Sequence, residues 1–227
     1  MKLSTEQLAK MIDISCVRAD VAMDELNRML ELIDKYHFIC AFAMPCFTPW
    51  LAKALEGRKE TRLGGAVGFP SGAESTQTKL HIAKEEIAVG CQELDMVINI
   101  GALKSGMYDT VYNDIKSIVD VAEGRIVKSI LEVTYLTDYE IQKASELAAK
   151  AGVTFVKSGT GWSSKPTELR HIQLMKAAVG DSAAIKAAGG VRTLDQITSF
   201  IEAGCTRFGI GIKTLETLMP QLEQSLT

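Results

Sequence analysis

The sequence has no run of about 18 apolar residues, the length a helix needs to cross a bilayer, so no membrane span is expected. It has no basic excess either. Its 25 Lys and Arg stand against 28 Asp and Glu, a net charge of −3, and a general nucleic-acid binder carries the opposite balance. The opening MKLSTEQLAKMIDIS lacks the long apolar core of a secretory signal, and the expected compartment is the cytoplasm. The five cysteines are odd in number and show neither CxxC nor CxxH spacing, which argues against a disulfide framework and a zinc site. Cys16, Cys40, Cys46, Cys91 and Cys205 are therefore expected as small buried apolar residues. His37, His81 and His171 lie in or beside helical stretches without metal-ligand spacing, so no metal is expected. A Gly-rich nucleotide turn after the first apolar segment is also missing, which disfavours a doubly wound open sheet.

Hydrophobic residues make up 47% of the chain, gathered into eight short segments. These are Ile12 to Ser15, Phe38 to Met44, Leu63 to Phe69, Glu93 to Asn99, Val127 to Val133, Thr154 to Lys157, Ala183 to Lys186 and Arg207 to Ile210. Most are continuously apolar rather than alternating, as parallel strands covered by helices are. Between them run helical patterns. Leu26, Met29, Leu30 and Ile33 share one face, as do Val111, Ile115, Ile118 and Ala122. Thr137 with Glu140 and Thr193 with Gln196 read as capping boxes, and Ser4 with Gln7 opens an extra helix before the first strand. Pro49 and Pro166 suit first helical turns, and Gly90, Gly152 and Gly204 suit helix ends. Segments recur every 25 to 30 residues or so, one βα unit each. The pattern predicts an α/β fold: a single (β/α)8 TIM barrel over residues 1–227, with an additional N-terminal helix. In such a barrel chemistry belongs at the C-terminal ends of the strands.

Lys157 and Lys186 stand at the ends of two consecutive apolar segments. A buried lysine is costly unless paired or neutral, and two close lysines disfavour each other's protonation, which makes an amine available as a nucleophile. Asp95 interrupts Leu94-Asp95-Met96-Val97 and beside two lysines stays ionised, able to move protons through a water or to balance their charge. Asp13 is a similar candidate that could equally cap a turn. Glycines cluster at Ser158-Gly159-Thr160-Gly161, at Gly189-Gly190 and at Gly209-Ile210-Gly211, with Arg192 nearby. Barrel enzymes often hold phosphate with backbone amides in such late loops. Lys84-Glu85-Glu86 reads as a solvated helix face. Phe42 and Trp162 could line a pocket, with core packing as the default for aromatics.

Four motifs make the pattern familiar. Gly68-Phe69-Pro70-Ser71-Gly72, Glu93 to Leu103, Phe155-Val156-Lys157-Ser158-Gly159-Thr160-Gly161 and Ile185 to Thr193 together resemble the deoxyribose-phosphate aldolases, in order and spacing over almost the whole chain. The resemblance implies a cofactor-free and metal-free class I aldolase that cleaves 2-deoxy-D-ribose 5-phosphate reversibly to glyceraldehyde 3-phosphate and acetaldehyde. It implies Lys157 as the imine-forming lysine, Lys186 as the second lysine that lowers its pKa, and Asp95 as the proton relay. Asp13 and Thr160 would support them, and Gly161, Gly189, Gly190, Arg192, Gly209 and Gly211 would bind phosphate. The partners implied are a small aldehyde and a sugar phosphate, with a homodimer as the assembly. There are departures. Relatives usually read Lys-Thr-Ser-Thr-Gly where this chain has Lys157-Ser158-Gly159-Thr160-Gly161. A lysine often stands where Trp162 is, serines stand where Gly211-Ile212-Lys213 is, and a cysteine stands where Phe42 is. A polar residue commonly follows the first-strand aspartate, where Ile14-Ser15 stand here. Catalysis is expected intact and phosphate recognition altered, with Lys213 as a candidate replacement cation. A related aldolase with another or unphosphorylated substrate and a non-catalytic sugar-phosphate-binding paralogue are the alternatives.

Overall fold

A computed structural model describes residues 3–226. Eight strands form a closed parallel barrel in sequence order: β1 (Ile12–Cys16), β2 (Cys40–Ala43), β3 (Arg62–Val67), β4 (Glu93–Val97), β5 (Ile126–Ile130), β6 (Phe155–Lys157), β7 (Ala184–Ala188) and β8 (Cys205–Gly211). All eight expected segments are strands, shifted by a few residues at their ends. Two shifts matter for chemistry. β7 continues two residues past Lys186, so this lysine sits mid-strand, whereas Lys157 is the last residue of β6. β8 begins two residues before Arg207 and places that side chain inside the barrel.

The outer ring is helical, and local sequence explains most of its boundaries. Ser4 and Gln7 cap the short helix Thr5–Ala9, Thr137 and Glu140 cap Asp138–Ala151, and Thr193 and Gln196 cap Leu194–Glu202. In each, a side-chain oxygen takes an amide that the first helical turn leaves unpaired. Gly90 and Gly152 end their helices in the left-handed conformation, and Gly204 follows one. Leu26, Met29 and Ile33 are buried on one helix face, as are Val111, Ile115, Ile118 and Ala122 on another. No helix among the described residues is long and apolar enough to cross a membrane.

Three local expectations need correction. Pro166 precedes the helix Leu169–Val179 by an irregular stretch and does not open it. Cys46 is exposed while the other four cysteines are buried, because it sits in the turn that follows β2. Glu86 is not on a solvated face. It is buried, with the Cys91 thiol 3.3 Å from its carboxylate, and burial raises its pKa.

Small residues let large ones fill the barrel. Gly64 on β3 is opposite Phe42 on β2, and a methyl group on Gly64 would lie 2.2 Å from the Phe42 ring. Gly64→Ala should therefore destabilise the fold by about 1–3 kcal/mol, the usual cost of overpacking. Urea unfolding measures this, and Phe42→Leu added to Gly64→Ala should recover part of the loss. An unchanged midpoint in Gly64→Ala would show that the ring has room to move.

Candidate active site

The strand register turns a set of ionisable side chains inward. Lys157 pairs with Lys186, Asp95 with Lys128, and Lys186 with Arg207, and partners at one register point to the same face of the sheet. Three buried carboxylates, Asp13, Glu93 and Asp95, meet four buried cationic side chains, Lys128, Lys157, Lys186 and Arg207. Lys157 and Lys186 donate to the same Asp95 oxygen at 2.8 and 2.6 Å, and Lys128 donates to the other at 2.8 Å. Lys186 also donates to Asp13 at 2.5 Å. Below them, Lys128 pairs with Glu93 at 2.6 Å and with Asp13 at 3.2 Å. Arg207 bridges Asp13 and Glu93 at 2.5 and 2.8 Å. The Phe42 ring lies 4.7 Å from the Lys128 nitrogen and 4.8 Å from that of Lys186, where its π face stabilises both ammonium groups.

Arg62 also reaches Glu93, at 2.9 Å, so cations outnumber the acids, and the amine weakened among them is that of Lys157. Burial is the largest influence on its amine and lowers its pKa. Asp95 opposes that, Lys186 and Lys128 add to it, and the result is about 8. Burial thus outweighs the second lysine, which the family resemblance puts first. Asp95 goes the other way: burial alone would raise its pKa, but Lys128, Lys157 and Lys186 hold it well below the usual carboxylate range. Burial and the negative charge of Asp13 and Glu93 push the Cys40 thiol well up. Asp13, Cys40 and Glu93 approach one another within 4.8 Å, a spacing that could hold a metal ion. Each carboxylate is already matched by cations and the thiol keeps its proton, so this donor set does not suit a cation.

A cavity of about 240 Å³ opens above the charge cluster at the C-terminal end of the barrel. Asp13, Asp95, Lys157 and Lys186 line its floor, and Thr160, Gly161, Gly189, Gly190, Arg192, Gly209 and Gly211 line its walls. Every residue to which the resemblance gives a catalytic, supporting or phosphate-binding role therefore reaches one cavity. The walls are tied together. Glu132, at the end of β5, accepts from the Thr160 amide at 3.2 Å and from its hydroxyl, and Thr160 Oγ1 accepts from the Trp162 amide at 3.0 Å. The Trp162 indole donates to the Val17 carbonyl at 2.7 Å and packs edge-on against Phe69. Ser158 donates to the Ala188 carbonyl and accepts from its amide, both at 2.9 Å, which joins the ends of β6 and β7. Gly189 and Gly190 have φ of 84° and 82°, and a side chain on Gly190 would meet Pro166 at 2.5 Å. Gly209 packs beside Lys186 and Ala188, where a methyl group would come within 2.9 Å of Ala188.

Residues 46–213 match the family model described as DeoC/LacD family aldolase. The chain belongs to this aldolase family. A deoxyribose-phosphate aldolase of Rhizobium meliloti is 41% identical over 219 residues, covering 96% of this chain and 88% of that protein. One of Streptococcus equi subsp. zooepidemicus is 40% identical over 200 residues, covering 88% and 90%. The tetrameric deoxyribose phosphate aldolase structure from Aeropyrum pernix superposes with a TM-score of 0.88 at 25% identity, over 100% of this chain and 95% of that one.

The sequence reading of this DeoC/LacD aldolase missed Lys128, Glu93, Arg207 and Glu132. Lys128 had a signal: it breaks the run Ile126-Val127-Lys128-Ser129-Ile130 as Asp95 breaks its own, and Ile130 shares its inward phase. Glu93 and Arg207 were hidden at segment starts, and Glu132 at a segment end, where a charge normally reads as solvated.

The pKa causes give opposite signs for two variants. Asp95 favours the Lys157 ammonium, so Asp95→Asn should shift the midpoint of Lys157 below about 8, and Lys186 disfavours it, so Lys186→Leu should shift it upward. Competitive acetylation of Lys157, followed by peptide mass across a pH series, reads both. Equal midpoints in the two variants would mean that burial alone tunes the amine.

Proposed function

We propose that this aldolase cleaves 2-deoxy-D-ribose 5-phosphate reversibly to acetaldehyde and glyceraldehyde 3-phosphate through an imine on Lys157. The observation that carries the reading is a cavity-lining lysine whose ammonium is weakened to about 8 and whose nitrogen touches an ionised carboxylate. Near that pH a useful share of the amine is neutral and attacks the aldehyde carbon of the open-chain sugar. Loss of water gives an iminium, which draws electrons from the breaking C2–C3 bond as the C3 hydroxyl loses its proton. Glyceraldehyde 3-phosphate departs and an enamine remains. Protonation of that enamine and hydrolysis release acetaldehyde and restore the amine.

In this reading Lys186 acts as a fixed ammonium, pinned by Asp13 and Asp95 at 2.5 and 2.6 Å. Asp95 relays protons through a water, and Asp13 and Thr160 hold Lys186 and the wall loop in place. Lys128, Lys157 and Lys186 keep the Asp95 carboxylate ionised, so its part in the relay is to accept a hydrogen bond from the water and orient it. Gly161, Gly189, Gly190, Arg192, Gly209 and Gly211 surround the distal end of the substrate.

One observation favours a second reading, an aldolase for unphosphorylated substrates. β8 runs directly into the helix Ile212–Leu226 and buries Ile212, so no hydroxyl side chain stands at positions 211 and 212. Lys213 lines the rim of the cavity, with its ammonium turned toward Glu25. It is largely exposed and lies 3.8 Å from Glu25. Retention of the whole charge cluster speaks against a non-catalytic binder. We further take the enzyme to be cytoplasmic, with residues 1–227 forming one domain and no nucleic-acid or membrane partner. A homo-oligomer is the proposed assembly; a dimer was the sequence expectation, and the Aeropyrum pernix relative is described as a tetramer.

Borohydride reduction in the presence of acetaldehyde should add one reduced adduct at Lys157, read by peptide mass, and Lys157→Leu should abolish it. An adduct mapping to Lys186 would reverse the assignment. Asp95→Asn should slow deuterium exchange into acetaldehyde by about 100-fold or more, within the usual range for general acid–base catalysis. Exchange at the normal rate would leave Asp95 as a charge balance only.

A further inference from the structure

Glu132 carries two structural costs at once. Its backbone lies in the left-handed region, at φ 56° and ψ 58°, which residues other than glycine rarely adopt. Its carboxylate is buried, and no lysine or arginine among the described residues reaches it. A buried acid without a cation is costly, and strain held in place beside a cavity calls for a functional reason. The residues on either side fix its position. The Leu131 amide donates to the carbonyl of Lys157 itself and the Val133 amide to that of Ser158, both at 2.9 Å. The side chain between them is thereby set beside the loop that leaves β6.

There the carboxylate takes both polar hydrogens of Thr160, the amide at 3.2 Å and the hydroxyl. An ionised carboxylate has no proton to give, so the Thr160 hydroxyl can only donate to it. Of the two lone pairs on that hydroxyl, one accepts from the Trp162 amide at 3.0 Å. The other is left for the cavity. Thr160 lines that cavity together with Lys157, so what it offers a substrate is an acceptor backed by an acid. The acids on the cavity floor are placed differently. Asp95 is held by Lys128, Lys157 and Lys186, and Asp13 by Lys128, Lys186 and Arg207. Cations so close disfavour the uptake of a proton, and none touches Glu132.

We infer that Thr160 and Glu132 together take the proton of the C3 hydroxyl when the C2–C3 bond breaks. The substrate proton passes to Thr160 Oγ1 as the Thr160 proton passes to the Glu132 carboxylate. The electron pair left on the C3 oxygen forms the new carbonyl. The C2–C3 pair becomes the enamine double bond, and the iminium π pair returns to the Lys157 nitrogen. Glu132 is then a neutral acid until the same path returns its proton, to water after cleavage or to the C3 alkoxide in synthesis. The inference rests on the reading that Lys157 forms the imine. Thr160 is a catalytic residue in this step and Glu132 its proton acceptor, whereas the enamine step served by Asp95 involves neither.

Two reactions separate this role from a structural one. Deuterium exchange into acetaldehyde needs the imine and the enamine but no C3 hydroxyl, whereas cleavage of deoxyribose 5-phosphate needs all three. Glu132→Gln keeps an oxygen for the Thr160 hydrogens but is no base. It should lower kcat for cleavage by about 100-fold, with KM changed less than threefold and exchange slowed less than twofold. Thr160→Val has nearly the same shape without the hydroxyl and should show the same split. Thr160→Ser restores the hydroxyl and should recover most of the cleavage, and this pair of variants decides the matter if Glu132→Gln does not fold. Cleavage at the parent rate in Glu132→Gln or Thr160→Val overturns the inference. So does an equal loss of cleavage and exchange, which would make the two residues a brace for the loop. A selective loss of cleavage, with the reduced adduct on a lysine other than Lys157, would keep the Thr160–Glu132 step and defeat the Lys157 reading instead.

Discussion

The ammonium of Lys128 lies within 3.2 Å of three buried carboxylates, those of Asp13, Glu93 and Asp95. An ammonium has three protons, so a single side chain can answer all three acids. Around it the remaining contacts close into one network: Arg207 joins Asp13 to Glu93, and Lys186 joins Asp13 to Asp95. Burying so many charges is costly, and removing one partner from such a network typically costs about 3–5 kcal/mol because another charge is left unmatched. The barrel carries this burden because the network decides which amine is weak. Lys157 has one acid, Asp95, and shares it with Lys128 and Lys186, and it is the lysine at the mouth.

The same network explains why the barrel interior is not a plain apolar core. Side chains at neighbouring registers stack in layers, and here charged layers lie beneath the cavity floor. Phe42 closes them on one side, its ring against two ammonium groups and its edge over Gly64. A thiol or a small aliphatic residue at position 42 would leave the ammonium groups without that electron-rich face. The Phe42–Gly64 pair thus ties the packing of β2 and β3 to the electrostatics of β5 and β7.

Above the floor, one chain of hydrogen bonds sets the shape of the mouth. It runs from Glu132 through Thr160 and Trp162 to the carbonyl of Val17, from the end of β5 across the β6 loop to the β1 loop. A methyl group on Gly159 would lie 2.8 Å from the Glu132 carboxylate, so glycine after Ser158 is what lets the acid reach under Thr160. Trp162 then walls the cavity on the side where relatives often carry a lysine.

The sequence by itself determined the barrel, because eight continuous apolar segments at βα spacing must be covered by helices, and no Gly-rich turn after the first favours an open sheet instead. It determined the capping boxes too, since a Ser or Thr oxygen three residues from a Glu or Gln acts locally. Lys157, Lys186 and Asp95 were legible because the first two end apolar runs and the third interrupts one, where a charge must have a reason. Tertiary structure alone decided the rest. Lys128, Glu93 and Arg207 come from three strands, and only barrel closure brings their side chains to one point. The ranking of burial over Lys186 in weakening Lys157, the burial of Glu86 and the approach of Glu132 to Thr160 are likewise set by what surrounds each group in space. Solvation and charge act through distance in three dimensions, and that distance is not written in the spacing of residues along the chain.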